Sequence, residues 1–166
     1  GNYAFYYCHN LSSITIPSSV TSIGEEAFYN CYKLVEVYNL SSLNIQEGSE
    51  DYGYVGYYAL NVYTSLEEKS KLHTTTDGFV FYEDGNKCYL LGYIGNETDI
   101  TLPEDCNGKN YEIYKYAFYN CDSLTSVTIG DSVESIGSSA FAYCDSLVSV
   151  TIPDSVTSIS DDAFSG

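Results

Sequence analysis

The segment LTSVTIGDSVESIGSSAFAYC (124–144) spans most of one repeating unit, whose pattern returns every 23 residues. The unit has Leu, Val and Ile at fixed places and closes with an Ala-Phe pair followed by Cys. Five phenylalanines, each preceded by Ala, keep the 23-residue step in two groups: Phe5 and Phe28, then Phe118, Phe141 and Phe164. A fixed period of this length is typical of a solenoid, because one unit buries its apolar face only against its neighbours.

Each unit predicts a short strand followed by a tight turn. In LTSVTI (124–129) β-branched residues alternate, which predicts a strand with one buried face that ends at Gly130. VESIG (133–137) predicts a second short extended piece, and SSAFAYC (138–144) predicts one helical or 3₁₀ turn that buries the Ala-Phe pair. The expected fold is a mainly β, leucine-rich-repeat type of solenoid, with short parallel strands along one side.

Two stretches interrupt the repeats. YVGYYAL (54–60) matches SIGEEAF (22–28) with Leu60 in the place of Phe, which predicts an insertion of about nine residues before it. DGFVFYEDGNKCYLLGY (77–93) predicts a β-hairpin. We therefore expect a single solenoid over 1–166, composed of N-terminal repeats (1–45), a degenerate repeat with an insertion (46–63), a hairpin island (64–97) and C-terminal repeats (98–166).

The segments LTSVTIGDSVESIGSSAFAYC (124–144) and LVSVTIPDSVTSISDDAF (147–164) closely resemble the repeats of the BspA-type (treponemal-type, 23-residue) leucine-rich-repeat surface protein family. The resemblance is strong over 3–45 and 98–166, and the hairpin looks like an island that occurs between such repeats. It implies a secreted or surface-anchored bacterial protein with an extracellular or cell-surface location. Adhesion and host-protein binding have been proposed for some members of this family.

Composition excludes several partners. The chain has 23 carboxylates and six cations, all lysine, for a formal charge of −17. Proteins that neutralise phosphates need clustered Lys and Arg, so we expect neither nucleic acid nor an anionic membrane surface as a main partner. No apolar run approaches the ~20 residues of a membrane-spanning helix, so no membrane insertion is expected in this segment. We expect a monomer, and a fragment or mature segment of a longer protein, because the chain begins and ends within a repeat.

Catalytic and cofactor motifs are missing from the sequence. It contains no G-x-S-x-G elbow, Gly-rich phosphate loop or H-E-x-x-H pair, so we expect no enzymatic activity, no catalytic residues and no cofactor. Without C-x-x-C or D-x-D-x-D-G, no metal site is expected. His9 is interpreted as a solvated turn residue.

The six cysteines fall into two classes. Four share one repeat position beside a phenylalanine and are predicted to be free, buried thiols: Cys8, Cys31, Cys121 and Cys144. Stacked repeats bring such residues close together but orient their side chains in parallel, which does not favour bridging. Cys88 and Cys106 lie outside this pattern, and the sequence leaves their pairing open.

The outward-facing residues of the repeat strands form the predicted binding face. Its members are Thr15, Glu36, Tyr38, Thr101, Ser126, Thr128, Ser149 and Thr151. All but Glu36 and Tyr38 are small and polar, which makes Tyr38 the predicted anchor, since a few aromatic residues often dominate an interface. Thr and Ser also favour solvated strands without any binding role, and that explanation has equal weight.

Three functions remain open. The first is a ligand-binding or adhesion module whose partner is an extracellular protein or glycan, and the second is a passive spacer or stalk. The third is a carbohydrate-binding module that uses exposed aromatic residues, with candidates at Tyr52, Tyr54, Tyr57, Tyr58, Tyr63, Phe79, Phe81, Tyr82, Tyr89 and Tyr93. The hairpin aromatics could instead dock the island onto the solenoid, which is the favoured alternative. A coplanar row of exposed rings would favour sugar binding, and a featureless Ser/Thr surface would favour the stalk.

Overall fold

The computed structural model describes all residues from Gly1 to Gly166 and contains twelve short strands and no helix. The strands are β1 (Ser13–Ile16), β2 (Glu36–Asn39), β3 (Asn61–Tyr63), β4 (Leu72–Thr74), β5 (Phe79–Asp84), β6 (Lys87–Tyr93), β7 (Asp99–Thr101), β8 (Tyr111–Ile113), β9 (Ser126–Thr128), β10 (Val133–Ile136), β11 (Ser149–Thr151) and β12 (Ser158–Ile159). The chain divides into two compact units with separate cores, unit 1 (Gly1–Ser70) and unit 2 (Lys71–Gly166). The mainly β solenoid repeat is confirmed in both.

Unit 1 contains one parallel sheet in the order β1-β2-β3. Strands β1 and β2 pair at an offset of 23 residues, with Ser13 opposite Glu36, but Glu36 lies opposite Asn61 at an offset of 25. The predicted match of Leu60 to a repeat phenylalanine is therefore wrong. Leu60 precedes β3, where its amide donates to the carbonyl of Val35 (2.8 Å). This repeat is lengthened by two residues rather than about nine.

Unit 2 joins the predicted hairpin to the repeats through one sheet. Strands β5 and β6 are antiparallel around Gly85 and Asn86, as predicted. Strand β4 adds a third antiparallel strand, and β6 pairs in parallel with β8, so the six-stranded order is β12-β10-β8-β6-β5-β4. A second sheet, β11-β9-β7, contains the repeat strands that correspond to those of unit 1. The island thus extends the repeat sheet.

The Ala-Phe segment is not the helical or 3₁₀ turn that its sequence predicts. It is a run of β-turns in which successive amides alternate between two kinds of partner. Ala140 and Ala142 donate within the turn, to the carbonyls three residues earlier, while the amide of Phe141 donates to Ala163 of the next repeat (2.7 Å). Left-handed backbone at Ser139 (φ 53°) and Tyr143 (φ 56°) produces this alternation. A helix would point every amide along its own axis and leave the neighbouring repeat unpaired.

The phenylalanines stack inside these turns. The rings of Phe118 and Phe141 lie 4.9 Å apart and nearly parallel, and those of Phe141 and Phe164 lie 5.2 Å apart. Phe5 and Phe28 form the same pair in unit 1, at 4.8 Å. Phe28, Phe118 and Phe141 are buried, whereas Phe5 and Phe164 are exposed. Phe141 therefore stacks on a phenylalanine at both faces, whereas each of the other four stacks on one.

We expect Phe118→Ala and Phe141→Ala each to lower the free energy of unfolding by ~3–5 kcal/mol, because each removes a fully buried ring. Phe164→Ala should cost clearly less, since its ring is partly exposed whereas the rings of Phe118 and Phe141 are buried. Urea unfolding followed by circular dichroism measures these differences. Equal losses at all three positions would contradict the stacked arrangement.

Candidate functional site

The strand face of unit 2 carries polar side chains. Thr101, Thr128 and Thr151 lie opposite one another in the β7-β9-β11 sheet, and all three side chains are exposed. The next row contains Asp99, exposed Ser149 and half-buried Ser126. The hydroxyls of Ser126 and Thr125 donate to Asp99 Oδ1 (both 2.8 Å) and hold the pKa of that carboxyl below its usual range.

Unit 1 does not present the predicted anchor. Thr15 is exposed, but Glu36 is 0% and Tyr38 9% exposed, so the expectation that both point to solvent is wrong. Tyr63 packs on Tyr38 with ring centroids 4.7 Å apart and donates its hydroxyl to Glu36 Oε1 (3.3 Å). Ser70 donates to Glu36 Oε2 (2.7 Å). Strand β3 and the segment after it therefore bury the part of this face that the sequence marks as distinctive.

Exposed aromatic side chains lie instead on the turns of unit 1. We call this set the turn-side tyrosine surface, which consists of Tyr3, Tyr6, Tyr7, Tyr29, Tyr54, Tyr57 and Tyr58. Tyr3, Tyr6, Tyr7 and Tyr57 are 39–52% exposed. Neighbouring rings are in contact, with centroid distances of 4.5 to 6.5 Å. The sequence interpretation included Tyr54, Tyr57 and Tyr58 but missed the others, although Tyr6 and Tyr29 lie 23 residues apart beside their phenylalanines.

The rings of this surface are not coplanar. Tyr6 and Tyr29 stack face to face at 17°, whereas Tyr29–Tyr54, Tyr54–Tyr57 and Tyr57–Tyr58 meet at 75–88°. The surface therefore offers ring edges, faces of several orientations and phenol hydroxyls rather than one flat platform.

A histidine completes the edge of the surface. The ring of His9 stacks on buried Tyr32 at 5.3 Å and meets Tyr7 edge-on at 5.3 Å. Burial lowers the pKa of His9, and the charge of Lys33 acts in the same direction. His9 is thus half-buried in an aromatic cluster, which corrects its interpretation as a solvated turn residue.

Carboxylates adjoin the tyrosines. The amide of Tyr3 donates to the carbonyl of Glu25 (3.0 Å), that of Tyr29 to Glu26 (3.2 Å) and that of Tyr54 to Glu50 (3.2 Å). Partial burial raises the pKa of Tyr54, and the charges of Glu50 and Glu26 raise it further. The surface is therefore both aromatic and acidic.

The aromatic side chains of the hairpin pack into unit 2 and are not exposed on its surface. Phe79, Phe81 and Tyr82 are buried, and Tyr89 and Tyr93 are half-buried. Phe81 meets the ring of Tyr111 edge-on at 5.2 Å. Docking, the favoured alternative from the sequence, is thereby confirmed for these side chains. Unit 2 has a smaller row of turn tyrosines at Tyr116, Tyr119 and Tyr143.

The four repeat cysteines are free, as predicted, but only two are buried. Cys31 Sγ donates to the carbonyl of Phe5 (3.0 Å) and Cys144 Sγ to that of Phe118 (3.0 Å). Burial raises the pKa of each of these two thiols to about 11. Cys8 and Cys121 are half-buried.

Three possible metal donors lie together near the hairpin. Atoms of His73, Glu83 and Cys106 are within 4.8 Å of one another. Cys106 is in a disulfide with Cys88, which answers the pairing that the sequence leaves open. Glu83 accepts hydrogen bonds from Lys109 (2.5 Å) and Asn107 (2.6 Å), which lower its pKa. Two of the three donors are thus already engaged in other bonds.

The structure has no helix that is long and apolar enough to cross a membrane.

In the native protein, iodoacetamide should alkylate Cys8 and Cys121 before Cys31 and Cys144, because buried, protonated thiols are poor nucleophiles. Cys88 and Cys106 should stay unlabelled until the protein is reduced. Peptide mass spectrometry at several times gives the order. Rapid native labelling of Cys31, or labelling of Cys88 without a reductant, would contradict this assignment.

Known structures of leucine-rich-repeat proteins resemble the chain. One from Bacteroides capillosus is 30% identical, over 55% of this chain and 72% of that one, with a TM-score of 0.48. The leucine-rich-repeat protein of Treponema pallidum is 28% identical, over 54% of this chain and 39% of that one, with a TM-score of 0.43. A leucine rich cell surface protein from Faecalibacterium prausnitzii is 23% identical, over 99% of this chain and 53% of that one, with a TM-score of 0.49. The chain thus spans about half or less of the last two.

The repeat match itself decides the family. No curated protein is significantly similar to the chain. All three TM-scores are below 0.5, so these structures are only distantly similar to the chain. A sequence model of the BspA type leucine-rich repeat region matches in six copies, over residues 1–74 and 96–166. On this match, which confirms the resemblance noted in the repeats, the chain belongs to the BspA-type leucine-rich repeat family.

Proposed function

We propose that this chain is a non-catalytic, protein-binding module of an exported bacterial surface protein, and that unit 1 contacts its partner through the turn-side tyrosine surface. The observation that carries the proposal is the connected set of tyrosines, four of them 39–52% exposed, on the turns of unit 1. Single exposed aromatics are ordinary, but a contiguous patch is typical of an interaction site. Tyrosine suits such sites because it combines a large apolar ring with a hydrogen-bonding hydroxyl.

The backbone at Tyr7 is strained. The position two residues after the repeat phenylalanine is left-handed in four repeats, at Tyr7, Asn30, Asn120 and Tyr143 (φ 56–58°). Asn adopts this conformation more readily than Tyr, because its short polar side chain hydrogen-bonds locally. Tyr7 therefore sits where Asn would be less strained. Tyr143, which is also exposed, has the same backbone conformation in unit 2.

Export is supported by the disulfide and by the family. The Cys88–Cys106 bond joins β6 to the loop before β8, and such bonds persist mainly in extracellular or periplasmic proteins. Leucine-rich-repeat solenoids are generally non-catalytic scaffolds that present extended surfaces. A passive spacer would not require a connected aromatic patch on one unit.

The ring geometry favours a protein over a glycan. A sugar ring packs flat against an aromatic face, and a chain of sugars needs several coplanar faces. Apart from the Tyr6–Tyr29 pair, which is stacked at 17°, adjacent rings here meet at 55–88°, so they form no such row. Side chains of a protein partner enter singly and can use faces and edges of different orientation.

Tyr57→Ala should weaken binding by at least ~1 kcal/mol, the usual mark of a contributing interface residue. Surface plasmon resonance against a panel of purified extracellular-matrix proteins and mucin glycoproteins provides the measurement. Val148→Ala is the control, because this exposed side chain lies in unit 2. Thr128→Ala tests the strand face and should have little effect. A partner that responds to Thr128→Ala but not to Tyr57→Ala, or a panel without any partner, would overturn the proposal.

Tyr7→Asn should raise the free energy of unfolding by up to about 1 kcal/mol, because Asn is less strained in left-handed backbone. The same change should weaken partner binding, since the exposed ring is lost. Tyr143→Asn, at the equivalent turn of unit 2, should stabilise without affecting binding. Urea titrations and the same binding assay separate the two effects. A loss of stability in both variants would contradict the strain argument.

A further inference from the structure

We infer that the partner segment seated on the turn-side tyrosine surface is a lysine- or arginine-rich stretch of polypeptide, an inference that rests on the function proposed above. The surface combines accessible aromatic rings with glutamates on the same turns. Cations are the ligands that interact favourably with both groups at once.

The backbone fixes carboxylate-bearing residues beside the rings. Glu25 and Glu26 lie on the turn whose carbonyls accept the amides of Tyr3 and Tyr29, and Glu50 accepts the amide of Tyr54. Glu25 and Glu50 are exposed and Glu26 is half-buried. The acidic residues therefore belong to the same turns as the tyrosines.

Unit 1 has few cations to neutralise this surface. Its eight carboxylates accompany only two lysines. Lys33 is 8% exposed and donates to Asn10 Oδ1 (3.3 Å), and Lys69 belongs to the segment after β3. The ion pairs of the chain, among them Lys71–Asp84 and Lys109–Glu83, lie in unit 2. A basic partner would supply the missing positive charge.

Ring geometry matches this class of ligand. Guanidinium and ammonium groups bind single aromatic faces within ~6 Å of the ring centre, so they do not need coplanar rings. Phenol oxygens and carboxylates accept their hydrogen bonds. The formal charge of −17 would also accelerate the approach of a basic chain at low ionic strength.

The probe is a fluorescein-labelled decalysine peptide, with decaglutamate and chitohexaose as the acidic and neutral comparison ligands. Fluorescence anisotropy at low and at physiological (~0.15 M) ionic strength measures binding of the peptides, and competition measures chitohexaose. The test variant is Glu26→Gln with Glu50→Gln. The control is Glu97→Gln with Glu104→Gln, which removes the same charge from exposed positions of unit 2.

Decalysine should bind the unaltered protein, and the Glu26/Glu50 variant should weaken it by at least about threefold, because each lost pair contributes a fraction of a kcal/mol. The Glu97/Glu104 variant should change it by less than about twofold. Tyr57→Phe should keep affinity and Tyr57→Leu should lose it, because only the aromatic ring supports a cation–π contact. Thermal melts confirm that each variant remains folded.

Other outcomes overturn the inference in distinguishable ways. Equal losses in the two charge variants would mean general attraction to an acidic protein. If chitohexaose binds in a way that depends on Tyr57 and decalysine does not bind, the ligand is a glycan. This outcome would also overturn the protein-binding proposal. A panel protein that depends on Tyr57 but not on Glu26 and Glu50 would refute only the basic partner and leave the proposed function standing.

Discussion

The alternating backbone of the Ala-Phe turn is the constraint on which the rest of the repeat depends. Left-handed residues two positions before and after each phenylalanine, such as Ser139 and Tyr143, direct every second amide to the next repeat. The turns are thereby hydrogen-bonded between repeats as the strands are, and neither side of the solenoid leaves a row of unpaired amides. The phenylalanines can then stack at 4.8–5.2 Å, a spacing that matches hydrogen-bonded neighbours.

Sequence periodicity is sufficient for the repeat but not for its local geometry. The 23-residue step of Phe118 and Phe141 predicts the solenoid, and the FVFYEDGNKCYLLGY pattern predicts the hairpin, because both signals are local. The turn conformation cannot be predicted from the sequence, because Tyr, Ser and Glu occupy left-handed positions where Gly or Asn would be expected. Leu60 misleads because Ala-Leu resembles Ala-Phe, although its amide pairs with Val35 at the strand.

The candidate site was harder to predict because exposure depends on distant segments. Alternation along β2 correctly assigns Glu36 and Tyr38 to the face away from the ladder core, but Tyr63 and Ser70, about 30 residues later, bury that face. The Cys88–Cys106 pairing depends on the same kind of tertiary contact, across 18 residues of chain. The turn tyrosines were accessible to sequence reasoning through the 23-residue spacing of Tyr6 and Tyr29, a signal of the same kind as the phenylalanine ladder.

The two sides of the repeat differ in how much chemical variety they tolerate. On the strand side every residue lies directly opposite its counterpart in the next repeat, so like charges at the same position of two neighbouring repeats would face and repel each other. Asp99 lies opposite Ser126, whose hydroxyl donates a hydrogen bond to the carboxylate, and the threonine row is uniform. Turn side chains project from backbone that is already satisfied between repeats, so Tyr7, Asn30 and Glu26 can differ without breaking the ladder. The turn side of unit 1 therefore carries varied side chains that are exposed, whereas the varied strand residues Glu36 and Tyr38 are buried.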